Sequence, residues 1–144
     1  MAIPNKEQAL KSIIKEIFDL DSPKIDDSRK TAFSEFIVST VNGDNPTAWL
    51  VLNVSLTDNK SGIMAYILTD ARLIKIDSDG LEIESSSFPL NTIIGIERKL
   101  IDGGERALFS VSFQNGTFGL KYSPTDRKIT EFFQQIDHSR SANG

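Results

Sequence analysis

Ala107-Leu-Phe-Ser-Val-Ser-Phe-Gln-Asn-Gly-Thr-Phe-Gly-Leu-Lys-Tyr122 alternates large apolar residues with small or polar ones on both sides of Asn115-Gly116. Asn-Gly between alternating segments is the strongest short hairpin signal, because a type I′ turn needs positive φ at both central residues. A two-residue turn there predicts facing residues whose numbers sum to 231, namely Phe113 with Phe118, Val111 with Leu120 and Phe109 with Tyr122. Facing residues share a sheet face, so one face is wholly apolar and the other holds Ser110, Ser112, Gly119 and Lys121. A slip of one residue would put every large side chain on the wrong face.

The hairpin runs straight into a helix. Ser123 is a good N-cap, Pro124 suits the first helical position, and Asp126 falls three residues after the cap. Ile129, Phe132, Phe133 and Ile136 form a single apolar stripe, opposite Lys128, Thr130, Glu131, Gln134 and Gln135. The spacing predicts a helix ending near Ile136, with its phenylalanines in a core rather than in an aromatic ligand site. Residues 138–144 read as a small-polar disordered tail.

Upstream, residues 5–20 read as a first helix. Asn5 and Gln8 have capping-box spacing, and Leu10, Ile13, Ile14, Ile17 and Phe18 make its apolar stripe. Its polar face mixes lysine and glutamate, which suits packing on protein better than on a membrane surface. Residues 19–27 are a polar connection whose four aspartates lack calcium-loop spacing. Residues 30–41 fit helix and strand equally, because Phe33, Phe36 and Ile37 have helical spacing while 36–41 are β-rich. Strands follow at 49–56, 63–68, 72–77, 81–84 and 93–97, separated by turns such as Thr69-Asp70, Ser78-Asp-Gly80 and Asp102-Gly103-Gly104. Short strands with no helix between them predict an antiparallel meander.

The 144 residues suit one domain with a real core, and their net charge of −4 argues against non-specific nucleic-acid binding. No cysteine means no disulfide, no thiolate nucleophile and no cysteine-based zinc site. The single histidine, His138, lies in the expected tail, where it is poorly placed as a fixed base. No phosphate-binding loop or dinucleotide fingerprint is present. We therefore expect no catalytic residue, no metal and no cofactor. The basic residues are the remaining lead. If Arg98, Lys99 and Arg106 flank the same glycine turn, they would present a small cationic patch to phosphate or carboxylate groups; ordinary ion pairing with the neighbouring acids is the alternative.

Leu68-Thr-Asp-Ala-Arg-Leu-Ile74, then Phe88-Pro-Leu-Asn-Thr-Ile93, then a closing hairpin and helix resemble, in order and spacing, bacterial pleckstrin-homology-like and GRAM-like domains over residues 60–137. That resemblance implies a mainly β, α+β fold: one bent, seven-stranded, partly open antiparallel barrel closed by a C-terminal helix, with Arg72 structural. Residues 1–24 would be an added N-terminal helix and linker, 25–137 the barrel with its helix, and 138–144 the tail.

The leading functional expectation is a non-enzymatic binding or adaptor domain, acting through a protein partner or self-association. Leu10, Ile13, Ile14, Ile17 and Phe18 are the first candidate contact surface. Recognition of an anionic lipid or phosphate group through Arg98, Lys99 and Arg106, with weak contact to an acidic membrane surface, is the alternative. A small-molecule enzyme using buried carboxylates ranks third. No secretory leader or membrane span is visible, so we expect a cytoplasmic protein.

Overall fold

A computed structural model describes residues 5–20, 25–41, 43–55, 61–78 and 82–143. The chain divides into two compact units, one made of Met1–Asp70 with Ile74–Ser87, the other of Ala71–Leu73 with Phe88–Gly144. Among the described residues there are seven strands, in two antiparallel meanders of four and three.

The first unit opens with helix α1, Lys6–Phe18, capped as its sequence predicts. The Asn5 side chain accepts from the Gln8 amide at 2.8 Å, and the Gln8 side chain returns the bond to the Asn5 amide. The segment with two readings is helix α2, Asp27–Val41, started by Asp26, whose carboxylate accepts from the Arg29 amide at 2.8 Å. Strands β1 (Pro46–Ser55), β2 (Ser61–Thr69), β3 (Arg72–Ser78) and β4 (Ile83–Pro89) follow in sheet order. Part of the strand expected at 81–84 and the end of that expected at 49–56 lie outside the described residues.

Ile13 and Ile17 of α1, Phe33, Ile37 and Val41 of α2, and Val51, Ile63, Ala65, Ile67, Ile74 and Ile76 of the strands form one buried cluster. The opposite face of the sheet is buried too at Leu50, Tyr66 and Leu68. The Trp49 indole N–H donates to the Glu16 carboxylate, tying α1 to β1.

The second unit contains β5 (Ile93–Ile101), β6 (Arg106–Phe113), β7 (Gly116–Tyr122) and helix α3 (Arg127–Asn143). The apolar hairpin face is as expected, with Ala107, Phe109, Val111, Phe113, Phe118 and Tyr122 all buried. The register is not. Phe113 faces Gly116, Val111 faces Phe118, Phe109 faces Leu120 and Ala107 faces Tyr122. The turn residues are therefore Gln114-Asn115, and facing numbers sum to 229. A shift of two leaves every side chain on its face.

Neighbouring contacts fit the observed register. Phe88 stacks on Phe113 with centroids 4.8 Å apart. A Cβ on Gly116 would come within 3.3 Å of Phe88 Cε1, and Gly116 has φ +155. A side chain at that position would crowd the Phe88 ring and strain the backbone. The Gln114 amide donates to the Thr92 carbonyl at 3.0 Å and fixes the turn from outside.

The start of α3 also differs from expectation. Ser123-Pro124-Thr125-Asp126 closes as a turn, with the Asp126 amide donating to the Ser123 carbonyl at 2.9 Å. Asp126 caps the helix instead, accepting from the Ile129 amide at 3.1 Å. Asp126 caps better than Ser123 here because Pro124 suits the second position of a turn as well as the first of a helix. The helix continues through Asn143, so the segment expected to be an irregular tail is helical up to that residue.

The expected single barrel wall is replaced by two separately hydrogen-bonded sheets, and no closed barrel forms among the described residues. The break falls after β4. Pro89 has no amide to donate to a ladder. The chain then makes a short 3-10 turn over Leu90–Thr92, with Leu90 buried and its amide bonded to the Ala71 carbonyl at 2.9 Å. β5 follows directly at Ile93.

Candidate functional site

The hairpin Leu68–Ile74 is ordered by its turn. The Thr69 hydroxyl, buried, donates to Asp44 Oδ2 at 3.1 Å. The Asp70 amide donates to the Asn45 carbonyl at 3.1 Å, and Asp70 Oδ1 accepts from the Asn45 amide at 3.2 Å. These polar residues hold the α2–β1 connection against the β2–β3 turn, and Arg72 is half-buried at the head of β3.

The three candidate cations are divided by the pleat. In the β5–β6 register Arg98 faces Phe109, Lys99 faces Leu108, and Ile101 faces Arg106. Phe109 is on the buried face of β6 and Leu108 on the other, so Arg98 lies on one side of the sheet and Lys99 and Arg106 on the opposite side. Lys121 joins the latter two, since Leu108 faces it across β6–β7. Lys99 also approaches Glu97 of its own strand at 3.9 Å, with both side chains more than half exposed. A surface pair of that kind contributes little.

Arg98 instead lines an open cleft of about 280 Å³ within the second unit. Ile96 shares the strand side of it, and Thr130, Phe133, Gln134 and Asp137 border it from α3. The floor is aromatic. Phe133 stacks on Phe109 with centroids 4.0 Å apart and rings 6° from parallel, and meets Tyr122 at 5.2 Å. The helix phenylalanines are thus core, as expected from their spacing. The cleft carries one carboxylate, Asp137, beside one guanidinium. Among the described residues the buried polar side chains are Lys30, Ser34, Thr69 and Ser78, none of them a carboxylate, and no cluster of acids and histidine has the arrangement to hold a metal ion. His138 is exposed on α3. No helix among the described residues is long and apolar enough to cross a membrane.

The α1 stripe is largely taken up by the core of its own unit. Ile13 and Ile17 are fully buried, Leu10 packs against the same cluster, and Ile14 is half-buried. Phe18 alone of the five candidates remains 40% exposed.

Sequence reasoning found strand β5 but ended it too early and did not place it at a sheet edge. It extends four residues beyond the expected Glu97, which brings Leu100 and Ile101 into the sheet. Ile94 is 64% exposed and Leu100 62% exposed. The strand ends the sheet order, with β6 on one side and no strand on the other among the described residues. An outer strand presents a row of backbone donors and acceptors, and proteins usually cover or charge it. The signal in the sequence was apolar residues on both faces of 93–101, interrupted by charges too closely spaced for a core strand.

No family model matches the sequence, and no curated protein matches it. Among solved structures the chain is similar to one titled as the complex of PDZ-RhoGEF DH/PH domains with GTP-γ-S activated RhoA. The TM-score is 0.48 at 9% identity, and the alignment covers 96% of this chain. It spans 40% of the length of that chain.

Proposed function

We propose that this chain is a non-catalytic binding domain on a pleckstrin-homology-like frame, and that its partner is a protein docked along β5. A four-stranded meander, a three-stranded meander and a following helix, in that order, agree with what the motif resemblance implies. The observation that carries the reading is the pair Ile94 and Leu100, large apolar side chains left mostly in water on a strand that ends its sheet. Added strands take affinity from main-chain hydrogen bonds and specificity from alternate side chains. In cells expressing the protein, the double variant Ile94→Asp/Leu100→Asp should lose its intermolecular cross-links while keeping its thermal melting point. Full retention of those cross-links would contradict docking at β5.

An anionic-surface reading rests on the row Lys99, Leu108, Lys121 with Arg106 beside it, all on one sheet face. It requires salt-sensitive pelleting with acidic vesicles that Lys99→Glu/Lys121→Glu abolishes. Failure to pellet at low salt removes it.

A further inference from the structure

We infer that the partner at β5 is a second copy of this chain, paired antiparallel, edge to edge, about a two-fold axis at Arg98; this rests on the binding reading of β5 above. The regular part of the strand sets the length. The β5–β6 ladder has a bulge between Ile93 and Gly95, and the chain leaves the strand at Asp102. Gly95–Ile101 is the uninterrupted stretch, and Arg98 is its central residue.

An isologous contact puts residue i of one copy against j of the other and j against i. With the axis perpendicular to the sheet, facing residues must lie on the same face, so i + j is even. Centring on Arg98 makes the sum 196. Glu97 then faces Lys99 of the other copy, twice by symmetry. Ile96 faces Leu100, also twice, which covers one of the two exposed apolar side chains. Both chemical classes match in this one register. Centring on Glu97 sets two carboxylates against each other and Ile96 against Arg98. Centring on Lys99 sets two ammonium groups against each other and Arg98 against Leu100. Directly opposed like charges destabilise a pair of strands, and opposite charges or apolar pairs stabilise it. The favoured register does place Arg98 against its own copy. Asp137 lines the same cleft as Arg98 in each copy. The product is one continuous six-stranded sheet with no exposed β5 edge.

The test uses the full chain in sedimentation velocity over a range of concentrations. The native protein should pass from monomer to dimer. Glu97→Lys puts lysine against Lys99, and Lys99→Glu puts glutamate against Glu97, so each variant alone should weaken the dimer at least tenfold. Mixed in equal amounts, the two should restore it as a heterodimer, because lysine at 97 then meets glutamate at 99 and Lys99 meets Glu97. Register is read separately. The chain has no cysteine, so Arg98→Cys gives a single thiol that should form an intermolecular disulfide under mild oxidation. Facing Cα atoms in antiparallel strands lie about 4.5–5.5 Å apart, within disulfide range. Glu97→Cys should not cross-link to itself. A native chain that stays monomeric at all concentrations overturns the inference. So does a dimer that both single charge variants leave intact, or one that Glu97→Cys cross-links and Arg98→Cys does not. If the native chain is monomeric yet foreign cross-links vanish in Ile94→Asp/Leu100→Asp, the self-pairing falls and the binding reading stands.

Discussion

Asn45 and Asp70 hold each other reciprocally: the Asp70 amide donates to the Asn45 carbonyl at 3.1 Å, and the Asn45 amide donates to Asp70 Oδ1 at 3.2 Å. The two residues are 25 apart in sequence, so the contact closes the connection from α2 onto the β2–β3 turn. Asp70→Ala removes the side-chain half alone. It should lower stability by about 1 kcal/mol, seen as a shift in the urea midpoint with unchanged slope. An effect within measurement error would show the backbone half suffices.

Lys30 ranks with the buried residues of α2, and its Nζ donates to the carbonyls of Phe18 at 3.2 Å and Leu20 at 3.1 Å. It closes the end of α1, where helix carbonyls lack intrahelical partners. Lys30→Met keeps the stem and removes the donors. The expected loss is about 1–3 kcal/mol, against no more than about 0.5 kcal/mol for Lys11→Met on the exposed side of α1. Equal effects from the two variants would deny Lys30 this role.

That lysine also explains what the sequence hid. The buried side of α2 is Lys30, Phe33, Ser34, Ile37 and Val41, a helical stripe with two polar members. Val38, meanwhile, is 44% exposed. Hydrophobic periodicity therefore could not separate helix from strand there. Where polarity and burial agree, in α1, the hairpin faces and the α3 stripe, the sequence was legible. It failed where local options were equivalent: the hairpin turn sits one residue earlier than expected, which changes the strand pairing by two, and Pro124 served a turn instead of a helix start. The three candidate cations are divided between two faces for a simpler reason. Arg98 and Lys99 are adjacent in a strand, and adjacent strand residues point to opposite faces. The outer edge of β5 was hidden because its exposed apolar residues look like core until the strand order is known.

Phe133 is the centre of the second unit, buried and in ring contact with Phe109, Phe118, Tyr122 and Phe132. Phe133→Ala should cost about 3–5 kcal/mol. Chemical denaturation monitored by circular dichroism measures it. A loss below about 1 kcal/mol would contradict the packing of α3 on the three-stranded sheet.

Burial, with a smaller contribution from the Asp77 carboxylate, pushes the Tyr66 phenol up to about 12 from 10.0. Its hydroxyl donates to Met64 Sδ at 2.8 Å. The neutral form is the one the fold accommodates, so its stability contribution is complete below pH 10 and declines as pH rises towards about 12. In that window the unfolded chain has released its proton and the folded one has not. Stability of the native chain should fall there more steeply than that of Tyr66→Phe, measured by denaturation across the range. Parallel profiles would contradict the shift.

Amide hydrogen exchange along β5 tests the account most directly. Exchange is compared between dilute chain and the complex, whether with a cross-linked partner or with a second copy at high concentration. Docking at the outer edge predicts slowed exchange within Gly95–Ile101, with Gly116–Tyr122 at the other edge of the same sheet unchanged. Protection confined to α1 around Phe18, with β5 exchanging as fast in the complex as in dilute solution, would contradict it.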